Sequence, residues 1–416
     1  MTDNGDHWVR DETLSRFDCA RTICREASAR ADKAECKRLA SAKTVAAVLT
    51  MAQSDRRIVL PADAWDANPM VLNTPTGIVN LRTGEMRIRK GDYVTQVARV
   101  SPDAQAKCPT WLRFLGEVFA SDEEKVEFVQ RMCGYMLTGD RREHKMFFMW
   151  GTGANGKSTL IDLLLWLLGT YAVKLPTITL MQSVVDRHPT ELAQLRGRRL
   201  AVSNELDDGQ YWAESRIKDL TGDETLTARF MRQDFFSFRM TQKHLVAGNY
   251  KPRLKGGDPA IARRMVLIPF TETFEGKRKD SLLPERLKAE APAIMAWMVT
   301  GAVVWSRDGL IVPESIRQAS VEYLAENDDL AIWMDERCIR EQSREEAAGD
   351  LYLSFSDWKR ERGEHAPSQT SWGQRMTVLP GIGKRRSGGI KYRGLGLNDV
   401  EKSRIRQKRG GMWHAA

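Results

Sequence analysis

Gly151, Gly156, Lys157 and Ser158, within the run GTGANGKST, stand at the spacing G-x-x-x-x-G-K-[ST]. Those residue types at that spacing make a cradle for a triphosphate. The backbone of Gly151, Gly153, Ala154, Asn155, Gly156, Lys157, Ser158 and Thr159 would wrap the phosphates, because a loop that opens a helix points unpaired N–H groups and a positive dipole end at an anion. Lys157 would reach the β and γ oxygens, and Ser158 would ligate Mg²⁺ beside them. RRLAVSNELDD, at 198–208, is an apolar run ending in acids. There Glu205 would polarise the attacking water and help hold the Mg²⁺ shell, with Asp207 and Asp208 near enough to serve instead. Asn249 closes a third apolar run, QKHLVAGNYKPRL, where an amide can orient water or sense a γ-phosphate. Arg263 and Arg264 stand immediately before a fourth, and a guanidinium there could stabilise transition-state charge. Taken singly, these last residues also fit a surface amide and a solvated charge pair.

The site needs strands that end where its loops begin. KMFFMW before the phosphate loop suits a buried strand, and LIDLLLWLLG after it suits a helix. Strand and helix runs then alternate for about 115 residues, closing near Gly276, the pattern of a mostly parallel sheet. Upstream, residues 10–55 are rich in Ala, Arg, Glu and Lys and predict helices with a partial apolar face. Residues 56–105 hold short β-like runs broken by T-G, R-T-G and K-G-D turns. Between the second and third core strands lies ESRIKDLTGDETLTARFMRQDFFSFRMTQ, residues 214–242. It predicts a helix carrying Lys218, a T-G-D turn, and a β-hairpin with a polar, partly cationic tip around Arg229 and Arg232. Such a hairpin could grip a phosphate backbone in a pore, or pack against another subunit.

A chain of 416 residues with 42% hydrophobic and 29% charged residues is globular and too long for one ordinary core. No apolar run is long enough to span a membrane, and MTDNGDHWVRDE lacks the apolar core of a signal peptide. The 6 cysteines form no C-x-x-C pair, which argues against zinc and a disulfide framework. A net charge of +9 weakly favours a polyanionic partner. Its distribution says more: Lys384, Arg385, Arg386, Lys391, Arg393, Lys402, Arg404, Arg406, Lys408 and Arg409 crowd the carboxy-terminal end. AAGDLYLSFSDWKRERGE predicts a helix ended by Gly363, and SQTSWGQRMTVL a second helix. GIGKRRSGGIKYRGLGL then predicts a basic hairpin, so this region reads as a winged helix, a relative of the helix-turn-helix modules that dock on duplex DNA.

In this order the elements resemble superfamily 3 DNA helicases, specifically the carboxy-terminal half of phage/plasmid-type primase–helicases, related to the poxvirus primase–helicase. WDANPMVLNTPTGIVNLRTGE (65–85), CPTWLRFL and GYMLTG are similar to the domain ahead of the helicase. GTGANGKST resembles the family's phosphate loop, LRGRRLAVSNE its acidic strand, IKDLTGDETLTARF its intermediate motif, VAGNYKP its sensor strand and DPAIARRMVLIPF its arginine-finger segment. One departure is that Asn204 precedes Glu205, where many relatives carry adjacent acids, leaving Glu205 to supply the acidic chemistry alone.

The resemblance implies an α/β fold: a P-loop, AAA+-like superfamily 3 core at 136–308, a mainly helical and α+β collar and oligomerisation domain at 1–135, a winged-helix domain at 309–400 and a basic tail at 401–416. It implies an ATP- and Mg²⁺-dependent DNA helicase of a phage, plasmid or other mobile element, in the cytoplasm of a bacterial host. The protein would form a ring, expected as a hexamer, and translocate on single-stranded DNA at a fork. Lys218, Arg229 and Arg232 would couple to the strand, Lys384, Arg385 and Arg386 would meet DNA from the wing, and Arg264, with Arg263 as second candidate, would be the finger. About sixty residues precede WDANP, too few for a primase domain, so a separate primase or replication initiator is the expected partner. The rival reading is a ring ATPase that binds origins or remodels proteins without processive unwinding. It would keep Lys157, Glu205 and Arg264 but need no cationic hairpin. A small-molecule kinase would keep the phosphate loop alone.

Overall fold

The Ala-, Arg- and Glu-rich first segment folds as α1 (Ser15–Ala29), α2 (Lys33–Leu39) and α3 (Ala42–Ala52). Asp32 caps α2 by accepting from the N–H of Ala34 and Glu35, and Ser41 caps α3 through the N–H of Thr44, which satisfies donors the helices leave unpaired. The turn-broken stretch becomes an antiparallel meander of β1 (Val71–Thr74), β2 (Gly77–Asn80) and β3 (Met86–Arg87). Two helices follow, α4 (Pro109–Val118) and α5 (Glu123–Leu137). Next come β4 (Met146–Trp150), α6 (Lys157–Leu168), β5 (Ala172–Lys174), β6 (Leu200–Asn204) and α7 (Glu214–Gly222). A hairpin of β7 (Thr225–Ala228) and β8 (Phe236–Arg239) precedes β9 (Lys243–Gly248), β10 (Met265–Pro269) and α8 (Ala291–Asp308). The computed structural model describes residues 1–183, 190–204, 208–254, 258–377, 379–386 and 388–412. The chain divides into two compact units, Met1–Pro252 with Arg263–Ser320, and Arg253–Ala262 with Val321–Ala416.

In the first unit the sheet runs β10-β4-β9-β6-β5 with every pairing parallel, as the alternating runs predict. Its strands read as unbroken apolar runs because both faces are covered. Register brings Trp150 opposite Gly248, and Ala247 opposite Asn204. The carboxyl ends of β4, β9 and β6 therefore lie side by side, and the loops after them leave the same edge.

One hydrophobic core joins the meander (Leu72, Val79), α4 (Trp111, Leu115), α5 (Phe128, Met132), the sheet and α8 (Met295, Met298). Helices α5 and α8 approach closely at glycines. A Cβ on Gly134 would overlap the backbone of Ala302, and one on Gly301 would overlap the carbonyl of Gln130. Backbone cannot yield as a side-chain tip can, so Gly301→Ala should destabilise by about 3 kcal/mol, lowering the melting temperature by roughly 6–12 °C. A melting curve matching the parent would refute this packing.

No single helix among the described residues is long and apolar enough to cross a membrane. One bent pair, Leu283–Ala289 with Ala291–Asp308 at 73°, passes on length and composition, but Ile294, Met295, Met298 and Ala302 of that pair are buried in the core.

The second unit holds α9 (Asp329–Arg337), β11 (Glu345–Ala347), α10 (Ala348–Glu361), α11 (Gln369–Thr377), β12 (Gly383–Arg386), β13 (Ile390–Arg393) and α12 (Asp399–Met412). The expected stop at Gly363 is a left-handed residue at φ 72° just past α10, a position that favours glycine. The strands pair antiparallel in the order β11-β13-β12. Trp333, Phe355, Trp372 and Tyr392 form the core, several meeting edge to face, a favoured aromatic geometry. Residues 401–412, expected within a basic tail, instead continue α12. Ile405 is buried, Lys408 pairs with Asp357 at 2.6 Å, Arg409 with Asp350 at 2.8 Å, and Arg404 with Glu361. Acids on α10 supply partners that a linear charge count does not reveal.

Candidate nucleotide-binding site

Strand β4 delivers the chain to Gly151, where a Cβ would overlap the Asn155 side chain and the Phe270 carbonyl. Gly153 at φ 115°, Ala154 at 46° and Gly156 at 86° then take left-handed backbone, which turns successive N–H groups inward as an anion nest. The loop is tied to the segment after β10: the Phe274 N–H donates to Ala154 O at 2.6 Å, and Asn155 Nδ2 donates to Phe270 O at 3.2 Å. Gly156 opens α6 with no side-chain cap, so the donors of the first turn stay unspent.

Lys157 is buried. Its Nζ donates to Gly151 O at 2.7 Å, Asn155 Oδ1 at 2.9 Å and Asn249 Oδ1 at 3.3 Å. These acceptors are neutral dipoles, and desolvation pulls the ammonium down to about 8. Among the described residues all its acceptors are neutral, and a buried cation so held has a strong electrostatic preference for an arriving anion. Asn249, from the end of β9, is thus in contact with the phosphate loop. Gly153, Ala154, Asn155, Gly156, Lys157, Ser158, Thr159 and Asn249 line one cavity of about 1050 Å³, roomy enough for a nucleotide. Ser158 is exposed to that cavity from the first turn of α6. Its hydroxyl fits Mg²⁺, which takes few protein ligands and leans on substrate phosphates.

A second wall of the cavity carries no sequence motif. Thr110, Arg113, Phe114 and Glu117 of α4 line it, with Phe274, Arg278 and Lys279 from the segment after β10. The Arg278 guanidinium lies 4.7 Å from the Phe274 ring centroid. A Cβ on Gly156 would come 2.8 Å from Val118 and 3.1 Å from Phe114, so α4 is pressed against the loop. Glu290 holds the start of α4, accepting from the N–H of Thr110 and Trp111 at 3.0 Å each. The available signal was the i, i+3, i+4, i+7 recurrence of these α4 residues, which puts them on one helix face.

Glu205 and Asp207 lie outside the described residues. Asn204 ends β6, its carbonyl accepting from Thr177 Oγ1. Its buried Oδ1 has no partner among the described residues. Asp208 accepts from the Gly209 N–H at 2.8 Å.

Arg263 and Arg264 are not brought to the loop. Met265 pairs with Met146 and Pro269 with Trp150, and the Met146 N–H donates to Arg264 O at 2.7 Å. The pair thus sits at the amino edge of the sheet, about 20 Å along the strand from Gly151 at roughly 3.3 Å per residue. Arg264 Nε donates to Thr221 Oγ1 at 3.1 Å near the end of α7. Arg263 is exposed, and its carbonyl accepts from Lys145 Nζ at 2.5 Å.

Lys218 is half-buried on α7. Arg229 and Arg232 flank the tip of the β7–β8 hairpin, whose register runs from Thr225 opposite Arg239 to Ala228 opposite Phe236. The tip is less polar than expected, with Phe230, Met231 and Phe235 all exposed beside the arginines. In the second unit Lys384, Arg385 and Arg386 are exposed along β12, but alternation sends Arg385 to the opposite face from the other two. Arg385 stands 3.5 Å from Glu345.

Similarities to known proteins cover much of the chain. The model described as D5 N terminal like matches residues 1–120, and a family of unknown function (DUF5906) matches residues 149–264. The chain is 25% identical over 337 residues to "Putative helicase 121R" of Invertebrate iridescent virus 3, covering 71% of this chain and 36% of that protein. It is 26% identical over 318 residues to "Putative helicase 022R" of Frog virus 3, covering 70% and 32%. With "Putative primase C962R" of African swine fever virus (isolate Tick/Malawi/Lil 20-1/1983) it shares 29% over 209 residues, covering 48% and 22%. The matched segments thus span between 22% and 36% of these three relatives. Among solved structures, the apo NrS-1 C terminal region superposes with a TM-score of 0.47 at 14% identity, covering 72% of this chain and 78% of that one.

Proposed function

We propose that this chain, a relative of the viral primase–helicase family, is an ATP-driven DNA helicase of a phage, plasmid, viral or other mobile-element replication system. The observation that carries the reading is Lys157: a buried ammonium whose acceptors among the described residues are all neutral, set in a left-handed loop at the carboxyl edge of a parallel sheet and touching Asn249. The helicase and primase names of the relatives support the same reading.

In this mechanism the triphosphate enters between the loop and α4 and takes the place of the neutral acceptors around Lys157. Phe114, Phe274 and Arg278 line the same cavity beside the loop. Ser158 and Glu205 would hold Mg²⁺, which would supply charge neutralisation at the transferring group. Glu205 polarises the attacking water and Asn249 orients it. Arg264 of a neighbouring subunit completes the site, with Arg263 as the second candidate, because neither arginine can span its own sheet. This requires a ring, which we take to be a hexamer. Residues 1–135 would form the collar and 309–400 a winged helix whose Lys384, Arg385 and Arg386 contact phosphates. The β7–β8 hairpin, with Lys218 behind it, would carry the strand through the pore, and a separate primase or initiator would act alongside.

Hydrolysis by the purified chain, measured with and without single-stranded DNA, tests this directly. Turnover should rise at least several-fold with DNA. Binding of the single strand should weaken with salt as phosphate contacts are screened, with a log–log slope of about −0.7 per contact. Hydrolysis indifferent to DNA would move the reading to a ring ATPase that remodels proteins or marks an origin.

A further inference from the structure

Hydrolysis couples to nucleic acid only if some group on the hairpin holds the strand, and two chemistries can do that: charge on phosphates or flat rings on bases. The tip of the β7–β8 hairpin offers both. The Gln233 N–H donates to Phe230 O at 3.1 Å, closing a tight turn in which Arg232 takes left-handed backbone at φ 59°. That conformation is unfavourable for a residue with a Cβ, and it projects the flanking rings outward. Phe235 is 60% exposed, Met231 69% and Phe230 37%.

Each ring has a partner. Phe230 stacks on Phe236 with centroids 5.4 Å apart and planes 23° from parallel. The Arg196 guanidinium lies 5.5 Å from the Phe236 centroid, and that of Arg229 lies 4.8 Å from the centroid of Phe235. Arg229 Nε is buried without a hydrogen-bond partner among the described residues. Two substantially exposed aromatics are thus set among three arginines, on a turn too short to bury them.

We infer that the hairpin tip is a base-stacking platform for single-stranded nucleic acid, in which Phe230 and Phe235 take unpaired bases while Arg196, Arg229 and Arg232 neutralise the flanking phosphates. The inference rests on the proposed function and gives its pore element a second chemistry. Stacking is sequence-tolerant because every base has a π face, so the platform suits a strand that must be moved whatever its sequence. Paired bases have no free face to offer, so the tip selects single strands over duplex.

The experiment uses the full chain with Mg²⁺ and a non-hydrolysable ATP analogue, and fluorescence anisotropy with two labelled strands of equal length. One is oligothymidylate, and the other has the same phosphates but abasic sugars. Wild type should bind oligothymidylate about tenfold or more tighter than the abasic strand. Phe235→Leu, which keeps an apolar side chain but removes the ring, should close that gap by weakening the thymidylate complex alone. Phe235→Trp should keep it. Equal binding of both strands by wild type, or an equal loss on both in Phe235→Leu, overturns stacking and leaves the helicase reading standing on phosphate contacts. Binding to neither strand overturns both.

Discussion

Mixing two inactive variants should restore hydrolysis. Arg264→Ala keeps an intact phosphate loop but offers its neighbour no guanidinium. Lys157→Ala has the opposite defect. If each site is built from two subunits, an interface that joins the sound loop of one variant to the sound arginine of the other is complete. Random exchange at equal amounts makes about a quarter of the interfaces complete, so the mixture should recover up to roughly that share of wild-type turnover. Each protein alone should have lost a factor of about a thousand or more, the range for a finger supplied by a partner. The basis is the strand register: Arg264 sits one residue before Met265, which pairs with Met146, while the phosphate loop begins beyond Trp150. Loss of the contact to Thr221 at 3.1 Å is a small local change, so Arg264→Ala should still bind nucleotide with wild-type affinity. Arg264→Lys should remain poor, since an ammonium lacks the planar fork that spans two oxygens. Full activity in Arg264→Ala alone would remove Arg264 from the site. An inactive mixture whose subunits demonstrably exchange would remove the shared site.

The parts legible in the sequence were those written as local pattern. The phosphate loop carried its spacing and its flanks together, and both β4 and α6 formed where the apolar runs placed them. The hairpin was legible too, since two β-prone runs bracket a turn. What failed to show was set by contacts distant in sequence. Helix α4 walls the nucleotide cavity because Glu290, far along the chain, fixes its first turn. The cations of α12 looked like a solvated tail, yet they meet acids on α10. Arg199 and Lys243 are buried, donating to the carbonyls of Leu137, Val71 and Thr138, a use of charge that composition cannot separate from a surface one. At the hairpin tip the expected turn around Arg232 forms between Phe230 and Gln233, but it is less polar than expected, because Phe230, Met231 and Phe235 are exposed beside the arginines.

Lys157→Ala should reduce hydrolysis by about a thousandfold or more while leaving the protein folded. The loss follows from the role the proposed mechanism gives the ammonium, which would meet charge developing on the transferring phosphoryl group from within the phosphate loop itself. Stability is the distinguishing part. The wild-type ammonium is desolvated, with its proton affinity lowered to about 8 from an unfolded value near 10.5, so it opposes folding most where both states are protonated, below pH 8. Between pH 8 and about 10.5 the unfolded chain binds more protons than the folded one, and this group makes stability rise with pH. Lys157→Ala removes that contribution, so the difference in melting temperature between variant and parent should be largest in the variant's favour below pH 8 and shrink above it. Nucleotide reverses the burial cost by supplying an anion. Near pH 8 the wild type should therefore take up about half a proton on binding a triphosphate, visible as a binding enthalpy that changes with the ionisation enthalpy of the buffer, and the variant should lack that part of the uptake. Unaltered turnover in Lys157→Ala would refute the phosphate-loop assignment. An identical proton uptake in both proteins would place the responsible group elsewhere in the cavity.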